Sequence, residues 1–117
     1  MKKIVLHGNP LSTNHIYKSR CAGGFASVYM SKAGKDRKEE YQWEVKSQWK
    51  DAPIEGDVML DVILYFGDLR KHDIDNYNKL AIDSLSKIVF TDDSQIVDLH
   101  LIKEYDKSDP RIEIVIN

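Results

Sequence analysis

Val58-Met59-Leu60-Asp61-Val62-Ile63-Leu64-Tyr65-Phe66 is the most strongly patterned stretch of the chain. It is a near-continuous apolar run rich in strand formers, interrupted only by Asp61, preceded by Gly56 and closed by Gly67-Asp68. A run of this kind predicts a central strand covered on both faces. C-terminal to it, Leu69 to Ile74 reads as a loop. From Asp75 the positions Tyr77, Leu80, Ala81, Ser84, Leu85 and Ile88 keep i, i+3, i+4, i+7 spacing, which predicts a helix over 75–88. Thr91-Asp92-Asp93-Ser94 is a polar break. Gln95 to Tyr105 then alternates as a strand, Lys107 to Pro110 turns the chain, and Arg111 to Asn117 is a last strand with Ile112, Ile114 and Ile116 on one face.

On the N-terminal side, Lys2 to His7 predicts a short strand and Gly8 to Asn14 is a cluster of turn residues. Residues 15–24 read as a loop ending in Gly23-Gly24, and Phe25 to Met30 as a second short strand. Ser31 can cap a helix, because its hydroxyl accepts from an orphan N–H. Tyr41, Val45 and Trp49 recur every four residues in the helix 32–49, which Ala52-Pro53 ends. The order β-(β)-α-β-α-β-β predicts an α/β (α+β) fold: one domain, residues 1–117, with two main helices packed on a mixed sheet.

Composition agrees with one globular domain. The chain has 117 residues, 42% hydrophobic and 31% charged, a length within the range of single domains that bury their own core. A single cysteine, Cys21, excludes an intramolecular disulfide and a Cys-rich zinc site. No apolar run approaches the ~18 residues of a membrane span. The apolar stretch after Lys2-Lys3 is too short for a signal peptide, so a cytoplasmic location is expected. The net charge of −2 gives no global case for nucleic acid, but it is unevenly spread. Residues 1–56 carry ten Lys/Arg against six Asp/Glu (+4), and residues 57–117 seven against thirteen (−6). A protein that grips phosphate with one region and a divalent cation with another has this asymmetry, and so do small domains by chance.

The chemically informative stretch is Asp73-Ile74-Asp75-Asn76-Tyr77-Asn78-Lys79. Two aspartates lie two apart where the predicted helix begins, and Lys79 follows Asp75 by one helical turn. Asp92-Asp93 comes after the same helix. A straight helix over 75–88 would be about 21 Å long at ~1.5 Å per residue. Asp93 can therefore meet Asp73 only through a tertiary arrangement or across a subunit boundary. Close carboxylates make a hard oxygen site for Mg2+ or Mn2+, where a metal polarises a phosphoryl oxygen and helps generate hydroxide. A nearby ammonium stabilises the developing charge. A purely structural reading is also open: Asp73 or Asp75 caps a helix, Lys79 pairs with Asp75, and Asp92-Asp93 makes a turn.

Other chemistries fail on spacing. As a calcium loop, the Asp73 stretch has Tyr77 for its third oxygen ligand, Asn78 for the required glycine and Ser84 for the closing glutamate. Gly23-Gly24 lacks the Gly-Lys-Ser/Thr ending of a phosphate loop, so no nucleotide cofactor is expected. His7, His15, His72 and His100 lack zinc spacing, although His72 adjoins Asp73. Cys21 and Ser12 have no nucleophile context.

Four motifs, in order, resemble the RusA-type Holliday junction resolvases. Pro10-Leu11-Ser12-Thr13-Asn14-His15-Ile16-Tyr17 resembles the family's Pro-x-Ser-x-Asn-x-x-Tyr loop, and Tyr29-Met30-Ser31-Lys32-Ala33-Gly34 its Ser-x-x-Gly start to the first helix. Asp73 to Lys79 resembles Asp-x-Asp-Asn-x-x-Lys, and Asp92-Asp93-Ser94-Gln95-Ile96-Val97 the Asp-Asp-x-Gln-Val motif. The resemblance implies a homodimer that binds four-way junction DNA and cuts two opposing strands with Mg2+, in recombination and repair. It implies Asp73, Asp75 and Asp93 as metal-binding catalytic carboxylates and Lys79 as the catalytic lysine. DNA contacts would fall on Asn14, Lys18, Arg20, Lys32, Lys35, Arg37, Lys38, Arg70 and Lys71. A catalytically silent junction binder, or a nuclease for other branched DNA, are the competing expectations. The dimer interface would use Ile112, Ile114 and Ile116 or the aromatic residues of helix 32–49, unless these are core.

Overall fold

The computed structural model describes residues 2–12, 17–22 and 25–117, with backbone alone for 17–22 and 25–28. The elements are β1 (Lys2–His7), β2 (Tyr17–Ala22), β3 (Phe25–Met30), α1 (Lys32–Gln48), β4 (Val58–Phe66), α2 (Lys79–Leu85), β5 (Ile96–Tyr105) and β6 (Arg111–Ile116). Two 3-10 turns, Ile74–Asn76 and Asp93–Gln95, flank α2.

β1, β6, β4 and β5 form one mixed sheet in that order, and β2 pairs with β3 in a separate antiparallel ribbon. β4 is antiparallel to β6 and parallel to β5. A parallel pair needs a long crossover, and residues 67–95, α2 included, provide it. Every second residue of β4 (Val58, Leu60, Val62, Leu64 and Phe66) is buried beneath the helices with Ile4, Leu6, Ile112, Ile114 and Ile116. From α1, Tyr41 and Val45 fill the same core, joined by Trp49 just past its end, and α2 adds Leu80, Ala81 and Leu85. Ser31 caps α1 as its position predicts: Gly34 N–H donates to Ser31 Oγ at 3.1 Å.

Four expectations change. Residues 17–22, read as loop, form β2, because backbone pairing with β3 overrides their polar composition. β4 is central but covered on one face only: Met59 is exposed and Asp61, Ile63 and Tyr65 are half-buried. Helix 75–88 divides into a 3-10 turn and a seven-residue α2. Its buried face is as read, but Ser86 is extended and Lys87 takes φ 70°, which turns Val89 and Phe90 back into the core. α1 ends at Gln48, with Trp49 already extended, before Ala52-Pro53 is reached. Of the two readings of Ile112, Ile114 and Ile116, core or dimer interface, the core reading holds: they are buried in their own domain, as are Tyr41 and Trp49, while Trp43 of α1 is exposed.

The two edges of the sheet differ. Along β1, Gln48 imitates a strand: its Oε1 accepts from Val5 N–H and its Nε2 donates to Val5 O, both at 2.8 Å. Glu44 accepts from His7 N–H. Such side-chain pairing blunts an edge. β5 is the other edge, ten residues long, with Val97, Ile102 and Tyr105 exposed.

Candidate active site

β4 ends at Phe66, and the residues that follow build a turn rather than a helix. Asp73 caps it in an extended conformation, Asn76 N–H donates to Asp73 O at 3.0 Å, and Tyr77 N–H donates to Ile74 O at 3.2 Å. Ile74 and Tyr77 pack against the core. Asp73, just before the first anchor, and Asp75, between the two, keep exposed side chains. Among the described residues, neither carboxylate accepts a hydrogen bond, so their oxygens are open to a hard cation. Lys79 begins α2, and its Nζ lies 3.4 Å from Asp83 rather than on Asp75.

The second acidic pair splits into two roles. Asp92 is structural: its carboxylate caps the turn by accepting from Ser94 N–H at 3.1 Å, and the Ser94 contacts hold its pKa below the ordinary carboxylate value. Asp93 is exposed and, among the described residues, accepts no hydrogen bond. Gln95 fixes the whole turn. Its Oε1 accepts from Thr91 and Asp92 N–H at 2.8 and 2.9 Å, and its Nε2 donates to Ile54 O and Gly56 O, both at 2.8 Å.

These contacts put the two acidic groups at opposite ends of the sheet. His72, just before Asp73, stacks on Phe66 at the last residue of β4, and its carbonyl accepts from Lys103 near the end of β5. Gln95 is bonded to Ile54 and Gly56, just before the first residue of β4. Eight strand steps at ~3.3 Å make β4 about 26 Å long. No group of three His, Cys, Asp or Glu side chains among the described residues lies close enough to hold a metal. One copy of the chain therefore does not unite Asp73 and Asp75 with Asp93.

Basic residues collect at the Asp73 end. Arg37 donates to Asn9 O at 3.2 Å, and Asn9 Oδ1 accepts from Gly67 N–H at 3.1 Å. This places the start of α1, with exposed Lys32 and Lys35, beside the end of β4, from which exposed Arg70 and Lys71 also project. Lys38 is half-buried. Arg37 is engaged locally, lying over the Tyr41 ring as well as on Asn9. A cleft of about 320 Å³ between Asp68, Arg70, Lys103 and Tyr105 opens at the same end. Asn14 lies outside the described residues, and of Lys18 and Arg20 only the backbone is described.

Sequence reasoning missed four residues that support the acidic turns: Asp68, His72, Tyr77 and Gln95. For His72 the signal was adjacency to Asp73; for Gln95 it was the fixed place in Asp-Asp-x-Gln. Nothing in the spacing singled out Asp68.

The family model described as endodeoxyribonuclease RusA matches residues 7–117. An uncharacterized protein, YqaN, of Bacillus subtilis (strain 168) is 46% identical over 46 residues, covering 39% of this chain and 32% of YqaN. The crossover junction endodeoxyribonuclease RusA of Aquifex aeolicus (strain VF5) is 33% identical over 66 residues, 56% of this chain and 52% of that protein. The protein of the same name in Escherichia coli (strain K12) is 27% identical over 108 residues, 92% of this chain and 87% of its own length. The chain thus spans about a third and a half of the first two relatives, and nearly all of the third. With both acidic turns and the strands β4, β5 and β6 inside the matched span, the chain belongs to the RusA endodeoxyribonuclease family.

Proposed function

We propose that this protein is a Mg2+-dependent endodeoxyribonuclease that resolves four-way DNA junctions by paired nicks, acting as a homodimer in recombination and repair. The carrying observation is the pair of exposed carboxylates, Asp73 and Asp75, on an anchored turn beside Arg70 and Lys71, in a chain of this family. Asp73, Asp75 and Asp93 would hold the ion, with Mn2+ able to replace Mg2+. The donor set fits, because all three are exposed carboxylates with unspent oxygens and such ligands suit hard cations. When bound, the ion supplies charge stabilisation at phosphorus and an activated water. Lys79 neutralises charge on the cut phosphate, while Arg70, Lys71, Lys32 and Lys35 hold the flanking backbone.

The separation of the acids supports the dimer. A two-fold axis across the open β5 edge lays two copies of β5 antiparallel. The start of one copy's β5 then lies beside the end of the other's. Asp93 of each copy is brought to the Asp73-Asp75 turn of its mate, giving two equivalent sites for two nicks. The exposed Val97, Ile102 and Tyr105 provide apolar surface for that contact.

The test is cleavage of a mobile four-way junction with Mg2+, beside forks and linear duplex. Wild type should nick the junction in pairs, Asp75→Asn should be inactive though folded, and Lys79→Ala should bind well but cut slowly. Junction binding without cleavage would make the protein a silent binder, and faster cutting of forks would assign it to other branched DNA.

A further inference from the structure

His72 is held on every side. Its ring lies on Phe66 with centroids 4.0 Å apart and planes within 5° of parallel, and it meets Tyr77 edge-on at 5.2 Å. Tyr77 also meets Phe66 edge-on, at 4.9 Å, so three rings close a box at the end of β4. Both imidazole nitrogens are engaged: Nε2 lies 2.9 Å from Asp68 Oδ1 and Nδ1 lies 2.9 Å from the Tyr77 hydroxyl. An ionised Asp68 only accepts, so Nε2 donates to it, and Nδ1 shares a hydrogen bond with the Tyr77 hydroxyl. The contact with His72, followed by the bond from Arg70 N–H, holds the Asp68 pKa below its ordinary value. The His72 side chain is 12% exposed, and with both nitrogens engaged it has no donor left for a phosphate.

The placement of these bonds matters more than their number. His72 immediately precedes Asp73, and Tyr77 immediately follows the 3-10 turn. The Nδ1–hydroxyl bond therefore ties together the two ends of a loop that contains both exposed aspartates. Among the described residues, two backbone bonds close the loop on itself: Asn76 N–H to Asp73 O and Tyr77 N–H to Ile74 O. An exposed turn opens readily unless something outside it is fixed. Mg2+ demands near-ideal octahedral geometry, so the spacing of its ligands must be set by the groups around them.

We propose that His72 is a positioning residue: bridging Asp68 to Tyr77, it fixes the spacing of the Asp73 and Asp75 carboxylates before a divalent ion arrives, and itself touches neither metal nor DNA. The inference rests on the nuclease reading of that turn.

His72→Ala and Tyr77→Phe are to be compared with wild type and Asp75→Asn in three measurements. In metal-free protein, amide exchange at Asn76 and Tyr77 should quicken by about tenfold or more in both variants, while Val62 and Ile114 keep their protection. The Mg2+ concentration for half-maximal cutting at saturating junction should rise by about 10–100-fold, the usual effect of losing a partner that orients a ligand. Junction affinity measured in EDTA should stay within about twofold. Tyr77→Phe keeps the ring packing, so it carries the test should His72→Ala not fold. Wild-type exchange and metal requirement in Tyr77→Phe would overturn the inference. So would weaker junction binding at unchanged metal requirement, which would make His72 a docking residue. Should Asp75→Asn cut like wild type, the nuclease assignment of the turn fails, while the exchange data still decide whether the clamp exists.

Discussion

Gln95 clamps the Asp93 turn to Ile54: its amide nitrogen donates to Ile54 O at 2.8 Å across 41 positions of sequence, and its oxygen accepts from Thr91 and Asp92. The glutamine thus joins the turn before β5 to the segment leading into β4 and sets where Asp93 stands. Gln95→Ala should destabilise the protein by about 1–3 kcal/mol, because it leaves partly buried backbone groups unpaired. Gln95→Glu should be at least as damaging, since a second acceptor would then face the carbonyls of Ile54 and Gly56. Urea unfolding ranks the two. A harmless Gln95→Glu would mean that the carbonyl contacts contribute nothing.

Mixing inactive variants tests where the metal site is assembled. If each site takes Asp75 from one copy and Asp93 from the other, a heterodimer of Asp75→Asn with Asp93→Asn has one intact site and one doubly damaged site. Co-expressed variants should recover single nicking, up to about half of the wild-type rate per heterodimer, without paired cuts. A site formed within one chain would give no recovery.

Arg70 and Lys71 project from the segment leading into the Asp73 turn. Replacing both by Gln should weaken junction binding and flatten its dependence on log salt by about one unit for each phosphate no longer neutralised. Binding should be followed in EDTA, so that cutting does not intervene. An unchanged salt slope would put the DNA elsewhere on the surface.

Acid should weaken the fold through Arg111. Its guanidinium binds Glu113 at 2.6 Å and Asp106 at 2.8 Å and lies 3.8 Å over the Tyr65 ring, while Lys3 holds the other Glu113 oxygen. Hydrogen bonding to Arg111 lowers the Asp106 pKa. Burial raises that of Glu113, but Lys3 and Arg111 outweigh it and the net shift is downward. Groups with depressed folded values stabilise above their unfolded pKa, near 4, and that contribution is lost as pH falls through the lower folded values. The urea midpoint should therefore drop between about pH 5 and 3. Arg111→Met should flatten the drop, and an Arg111→Met protein with the wild-type acid slope would remove the cluster from this account.

Most of the elements and the core were legible in the chain itself. The apolar run 58–66, the alternation of 111–116 and the Tyr41-Val45-Trp49 spacing each carry a local signal, because burial on one face imposes a period on the residues themselves. Asp73, Asp75, Lys79 and Asp93 stood out as a candidate site because their motifs are short and contiguous. Tertiary structure alone decided the rest. It showed that 17–22 is a strand and that helix 75–88 is a turn followed by a short helix. These outcomes depend on partners distant in sequence. It also showed Asp73 and Asp93 at opposite ends of a strand about 26 Å long, bound there by His72 on Phe66 and Gln95 on Ile54. A spacing along the chain carries no such information, since the direction in which a crossover returns is set by which strands pair.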